Sequence, residues 1–184
     1  MEGGKFNTDN NVNLRLTMYK FSKIIAIAIT ILLLWPPFAE AKERGSVTNL
    51  PIPRFVSMKA GEGFARRGPS KLHRIDWVYK HQNMPLMITG EYGHWRRVQD
   101  IDGQGGWMHF RLLSGNRTVV FKGEKNPVTR RQNVGSDIVF FAEKGVIGNL
   151  DECNISWCKV YVKKRKGWVL KANIWGVFEN ELRN

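Results

Sequence analysis

Two cysteines, Cys153 and Cys158, have the spacing that most directly implies a chemical bond. They bracket residues 154–157, which suit a short hairpin loop. Residues flanking such a loop face each other at about 4.5–5.5 Å between Cα atoms, within disulfide reach. The spacing therefore predicts a disulfide, with two buried thiols as the alternative. A catalytic cysteine would need a nearby base, but the last histidine in the chain is His109.

Histidines could instead bind a metal ion. His73, His81, His94 and His109 are separated by 8, 13 and 15 residues, and these spacings match no short zinc-ligand pair. We expect His94 to face solvent beside Trp95. The nucleophile, phosphate-loop and paired-carboxylate patterns of common enzymes are also missing from the sequence. The sequence thus predicts no metal, no cofactor and no catalytic residue.

Aromatic side chains are the candidates for a binding surface. One candidate group contains Tyr92, Trp95 and Arg97, and the other contains Trp157 and Tyr161. In the alternative interpretation each tryptophan seals a junction within the protein or caps a barrel, because aromatic residues are often largely buried in small domains.

A run of four cations is the candidate anion-binding site. The run occupies a hairpin tip whose counterpart earlier in the chain, residues 100–102, carries two aspartates. Lys159 and Lys171 would add to its charge. The alternative is a solvated turn in a generally basic protein. The four residues are Lys163, Lys164, Arg165 and Lys166.

An internal repeat of about 62 residues organises the second part of the chain. Trp95 and Trp157 are 62 residues apart, and Trp107 and Trp168 are 61 apart. Short apolar runs that end at glycine- and aspartate-rich turns predict β-strands in each copy. We expect Trp107 and Trp168 in the core, with Trp95 and Trp157 pointing outward.

The repeat predicts an all-β protein of two small units, each a β-barrel or a β-sandwich. The first would span residues 55–113 and the second residues 118–178. Since a unit of about 60 residues is marginally stable alone, we expect the two units to pack together.

The N-terminal region has the pattern of a secretory signal. Lys20 and Lys23 precede an apolar run at residues 24–34, and residues 39–41 form a small-x-small cleavage site. The run has 11 residues, whereas a membrane-spanning helix needs about 20. We therefore expect a cleaved signal peptide and a periplasmic or secreted protein, with an uncleaved membrane anchor as the alternative.

The remaining segments flank the predicted barrels. We expect the signal peptide to be residues 1–41, with a true start at Met18, and a tail at residues 179–184. Residues 42–54 form a proline-containing linker. Within it, residues 50–53 read Leu-Pro-Ile-Pro and should be extended, either across an aromatic groove of the same chain or as a stiff linker.

Net charge narrows the range of partners. The chain has 184 residues, 42% of them hydrophobic, and carries a formal charge of +13. An exported protein of this charge would meet anionic envelope polymers or a lipid surface, and nucleic acid is not an expected partner.

Several motifs lie in a distinctive order across residues 50–178. One of them comprises Trp95, Val98, a turn, Gly106, Trp107, Leu112 and Leu113. This pattern resembles the bacterial SH3-like (Src homology 3-like) domain, and the order of the motifs is similar to an exported tandem SH3-like family of alphaproteobacterial type. The resemblance implies small SH3-like β-barrels that act as a binding module in the cell envelope, often linked to peptidoglycan or peptide recognition.

We therefore expect an exported, non-catalytic module that recognises peptidoglycan or peptide ligands. Its expected partners are a cell-wall glycan or peptide, or an envelope protein. The alternative is a structural or assembly protein whose SH3-like barrels only contact partner proteins.

Overall fold

A computed structural model describes residues 43–184, and this part of the chain contains strands and short turns but no α-helix. The prediction of an all-β protein is confirmed. The predicted signal peptide and cleavage site lie outside the described residues. No helix in the described range is long and apolar enough to cross a membrane.

The first sheet is antiparallel and has the strand order β3-β2-β6-β5-β4-β1-β7. A 3-10 turn, Phe110–Leu112, connects β6 to β7, which are the last two strands of this sheet in chain order. The strands are β1 (Arg54–Met58), β2 (Gly63–Arg66), β3 (Ile75–Tyr79), β4 (Pro85–Tyr92), β5 (Trp95–Gln99), β6 (Gly105–His109) and β7 (Leu113–Ser114).

The second sheet repeats this arrangement with the order β10-β9-β13-β12-β11-β8-β14. Its 3-10 turn is Lys171–Asn173. Each strand thus has a counterpart seven positions earlier, which is the structural form of the sequence repeat. The strands are β8 (Thr118–Phe121), β9 (Asn126–Thr129), β10 (Ile138–Ala142), β11 (Ile147–Cys153), β12 (Trp157–Val162), β13 (Arg165–Leu170) and β14 (Ile174–Trp175).

Alternate residues of the central strands form the two cores. Val98 and Met108 are buried in the first core, and Val160 and Val169 are buried in the second. Because successive side chains point to opposite faces of a strand, the residues next to these buried ones along each strand point to the outer face of the sheet.

The expected core positions of Trp107 and Trp168 are therefore wrong. Both indoles are only partly buried, whereas their strand neighbours Met108 and Val169 are fully buried. The expected outward direction of Trp95 and Trp157 agrees with the partly exposed positions of these two residues.

The segment before β1 folds back onto the first sheet. Gly45 and Leu50 form a backbone hydrogen bond of 2.8 Å, and a second one joins Ile52 to Glu43. The turn between them is fixed to Glu91, whose carboxylate accepts hydrogen bonds from the backbone and hydroxyl groups of Thr48 at 2.8 and 2.7 Å. This part of the predicted linker is thus packed structure rather than a free spacer.

Glu91 also pairs with two arginines. Its Oε1 atom lies 2.6 Å from Nη2 of Arg54 and 3.5 Å from Nε of Arg96, and its side chain is fully buried. Burial raises the pKa of Glu91, but the hydrogen bonds from Thr48, Arg54 and Val47 outweigh it and lower the pKa to about 2. The carboxylate is therefore ionised and holds the segment against the sheet.

Aromatic contacts join the two sheets. The ring of Phe55 in β1 meets Trp175 in β14 edge-on, with 5.0 Å between centroids, and lies 4.7 Å from Phe178. Arg117, which precedes β8, stacks over Phe55 and forms an ion pair of 2.7 Å with Glu181. Trp175, which belongs to none of the sequence motifs, thus lies at the junction of the two sheets.

Candidate binding surface

The β4–β5 hairpin places the first candidate group on one face. Tyr92 pairs with Trp95 across the two-residue turn, and Gly90 pairs with Arg97. The turn contains Gly93 at a φ of +49°, a left-handed conformation that glycine adopts without steric cost. Antiparallel partners point the same way, so Tyr92, Trp95 and Arg97 share the outer face of the first sheet.

Trp107 completes this face. It pairs with Arg97 across β5 and β6, so both side chains lie on the outer side. A Cβ added at Gly90 would be in ordinary van der Waals contact with Arg97 at 3.5 Å and with the Trp107 indole at 4.0 Å, so Gly90 lies directly against both side chains. We call Tyr92, Trp95, Arg97 and Trp107 the outer aromatic face. Strand alternation relative to Met108 could have identified Trp107 from the sequence.

A cluster of three rings, His94, His109 and Phe110, extends the face at its turn end. His109 lies 5.0 Å from Phe110 and 5.9 Å from His94, measured between ring centroids. Trp95 meets His109 edge-on at 5.6 Å. Partial burial and the neighbouring His94 lower the pKa of His109. The expected solvent-facing position of His94 matches its exposure.

Arg97 is the cation of the outer aromatic face. Its side chain is exposed, and within residues 43–184 no carboxylate lies at ion-pair distance from it. It borders a depression of about 410 Å³ that Thr89 and Gln99 also line. The site therefore combines a free guanidinium, neutral hydrogen-bonding groups and indole rings.

The second sheet has a matching face with different electrostatics. Trp157, Lys159 and Tyr161 alternate along β12, so they share one side, and Lys159 pairs with Trp168. The ammonium of Lys159 lies 2.7 Å from Glu152, and the hydrogen bond to Glu152 raises the pKa of Lys159. The structure thus groups Trp157 with Tyr161 as expected. Lys159, which lies between them, already forms ion pairs with Asp151 and Glu152.

The four predicted anion-binding residues lie at the β12–β13 hairpin. Lys163 and Lys164 form the turn, with Lys163 at a φ of +55°, and Arg165 and Lys166 begin β13. All four are exposed, and none has a carboxylate within 4.0 Å among the described residues.

In the first sheet, the turn at residues 100–103 corresponds to the β12–β13 turn. It exposes only one of its two aspartates. Asp100 is buried and accepts hydrogen bonds from the backbone N–H groups of Asp102 and Gln104 at 3.0 and 2.8 Å. The hydroxyl of Tyr79 donates to its other oxygen at 3.1 Å. Asp100 therefore shapes the turn from inside, and only Asp102 is exposed.

The predicted disulfide is confirmed. Cys153 and Cys158 are register partners in the β11–β12 hairpin and are bonded, with 4.1 Å between their Cα atoms. Both residues are buried, and because their sulfurs are bonded to each other the alternative of two buried thiols is wrong. The bond lies in the second core, one position from Trp157.

Comparison with known families decides the relationship of this chain. The family model described as bacterial SH3 domain matches residues 59–115 and 129–176. The chain belongs to the bacterial SH3 domain family. Each SH3 match falls on one sheet, from β2 to β7 in the first and from the end of β9 to β14 in the second. The family resemblance expected from the sequence is thus confirmed.

Solved structures give a more distant comparison. The structures of NlpC2 and NlpC1 from Trichomonas vaginalis are each 11% identical to this SH3 chain, with a TM-score of 0.32. They align with 67% and 66% of this chain, which spans 48% and 45% of theirs, about half their length. No curated protein matches the chain.

Proposed function

We propose that this bacterial SH3 protein is an exported, non-catalytic module that binds cell-wall peptidoglycan through the outer aromatic face. Family membership supports a binding role. The single observation that carries the proposal is Arg97, which has no carboxylate at ion-pair distance among residues 43–184 and lies beside Trp95 and Trp107 on one outer face. At the same position in the second sheet, Lys159 is already ion-paired with Glu152, so the first sheet is the better candidate for the binding site.

The chemistry of the face suits this polymer. Peptidoglycan has sugar rings whose C–H faces can stack on indoles, and stem peptides that carry free carboxylates. The Arg97 guanidinium can donate two parallel hydrogen bonds to such a carboxylate. Thr89 and Gln99 offer neutral partners to amide or hydroxyl groups in the neighbouring depression. These contacts position a ligand and require no reaction.

Export is part of the proposal. The signal pattern at residues 20–41 supports a periplasmic or secreted location, and the Cys153–Cys158 bond is consistent with an oxidising compartment. Amino-terminal sequencing of the protein recovered from an envelope fraction should give Lys42 as the first residue. An intact N-terminus in that fraction would indicate an uncleaved anchor instead.

Retention on purified sacculi tests the binding role. We expect wild-type protein to stay bound at about 0.3 M salt, where exposed charges are strongly screened. Trp95→Ala should lower retention at least about tenfold, in line with loss of an aromatic anchor. Trp157→Ala, at the same position in the second sheet, is the matched control and should bind normally. Loss of wild-type binding in salt would show that charge alone held the protein.

Incubation with sacculi also tests the absence of catalysis. The soluble muropeptides released after a long incubation should equal those of a protein-free sample. New fragments that appear in proportion to the protein would overturn the non-catalytic assignment.

A second function is favoured by the edge strand β3. This strand pairs with β2 on one side and forms the edge of the first sheet, and its residues Ile75, Trp77 and Val78 are 38–44% exposed, so an apolar edge faces solvent. In this alternative, the protein is an assembly factor whose edge strand contacts an envelope protein. Trp77→Ser, and not Trp95→Ala, would then abolish its co-sedimentation with envelope protein complexes.

A further inference from the structure

A groove on the second sheet lies away from the outer aromatic face. It has a volume of about 650 Å³ and is formed by the end of β10 and the β12–β13 turn. The first sheet has a different turn at this position, built around the buried Asp100. The groove residues are Phe140, Phe141, Ala142, Glu143, Val146, Val162, Lys163, Lys164 and Arg165.

The floor of the groove is apolar and open. Phe141 is 48% exposed although it is a large aromatic residue in a strand. Val146 and Val162 are partly buried and pack against the second core, which supports the floor from below. A ligand that covered Phe141 would gain by removing this apolar surface from water.

The rim of the groove is cationic. Lys163, Lys164 and Arg165 line one end without a carboxylate at ion-pair distance in the described chain, and Lys166 follows on β13. The ammonium of Lys125 lies 4.3 Å from the centroid of the Phe141 ring. Glu143 is the single acidic residue of the lining. The groove thus pairs an apolar floor with excess positive charge.

The polar side chains that line the groove indicate whether a peptide or a phospholipid surface fits it better. None of its nine lining residues has a neutral hydroxyl or amide side chain, which a site selective for a peptide would use to orient backbone groups. Flexible lysines beside an exposed aromatic ring suit phosphate headgroups, which they can meet in many orientations, and the adjoining acyl region.

We propose that this groove docks the protein on a bilayer surface that contains anionic phospholipid. Phe141 enters the interface between headgroups and acyl chains, while Lys163, Lys164 and Arg165 contact headgroup phosphates. The proposal goes beyond peptidoglycan binding and uses a different sheet, so either one can fail without the other.

Vesicle flotation of the full chain tests the proposal. We expect more binding to phosphatidylcholine vesicles containing phosphatidylglycerol than to phosphatidylcholine alone. The double variant Lys163→Ser with Lys164→Ser should lower the phosphatidylglycerol-dependent part about tenfold or more. Lys59→Ser with Lys80→Ser removes the same charge from exposed sites of the first sheet and should change it little. Equal losses in both double variants would overturn the proposal.

Crosslinking at a single position distinguishes lipid contact by the groove from lipid contact by the apolar N-terminal region, which every variant contains. A photo-crosslinking p-benzoylphenylalanine introduced at position 141 should react with lipid in vesicles containing phosphatidylglycerol. The same group introduced at position 78, the matching place on β3, should react much less. Absence of lipid adducts at position 141, with protection of β10 by an acidic apolar peptide instead, would assign the groove to a peptide and overturn the proposal.

Discussion

Arg97 and Lys159 occupy the same register position in the two sheets, each opposite a tryptophan, but among residues 43–184 only Lys159 has carboxylates at ion-pair distance. The two repeats thus share a cation beside an indole and differ in whether a described carboxylate pairs with that cation. This difference gives the first prediction.

Arg97→Ala should lower affinity for sacculi by about 10- to 100-fold, since a charge-assisted hydrogen bond contributes roughly 1.5–3 kcal/mol. Lys159→Ala should leave the affinity almost unchanged, because the Lys159 ammonium already binds Glu152. Binding isotherms on sacculi measure both variants. A larger loss from Lys159→Ala would place the ligand on the second sheet instead.

Glu91→Gln should destabilise the protein by about 2–3 kcal/mol at pH 7, because Arg54 and Arg96 lose their buried counter-charge. Urea unfolding at pH 7 gives the free-energy difference. Glu62→Gln, a change at an exposed carboxylate, is the matched control and should have little effect.

The same carboxylate predicts a pH dependence. Its pKa is about 2 in the folded protein against an ordinary value of 4.5, so the folded state binds this proton less readily than the unfolded state. The stabilisation is complete above about pH 4.5 and is lost as the pH falls toward 2. The difference in Tm between wild type and Glu91→Gln should narrow over this range. A constant difference would contradict the assignment.

Removing the disulfide should cost about 2 kcal/mol, as expected for a short closed loop. Cys153→Ser combined with Cys158→Ser should lower the Tm as much as reductant lowers it for wild type. Reductant should have no further effect on the double variant. Labelling of wild type by a thiol reagent without prior reduction would contradict the bond.

Trp175→Ala should weaken the junction, because the indole packs edge-on against Phe55. We expect a loss of about 3 kcal/mol and two resolved unfolding transitions in calorimetry where wild type shows one. Trp77→Ala, an exposed tryptophan of β3, should keep a single transition. An unchanged thermogram for Trp175→Ala would show that the sheets are joined by other contacts.

The sequence predicts local features of this protein well. The repeat places Trp95 and Trp157 at matching strand starts, and the spacing of Cys153 and Cys158 determines their pairing, since both depend on short-range register. A glycine before a large apolar residue favours burial of Trp107, but Met108 fills the core and Trp107 lies on the outer face.

Long-range contacts could not be predicted in the same way. The role of Glu91 depends on Thr48, which lies 43 residues away and reaches it only because the chain folds back before β1. Trp175 meets Phe55 across the two sheets, and neither residue belongs to a local pattern. Such contacts depend on tertiary packing, which hydrophobic periodicity does not describe.

Only three residues, 115–117, separate β7 from β8, so the two sheets are held next to each other along the chain. A tether this short keeps the second surface at millimolar effective concentration once the first is occupied. If both proposed surfaces bind, weak contacts to peptidoglycan and to lipid could act together with high avidity. Release of one contact would leave the protein free to move along the polymer or bilayer that it still holds.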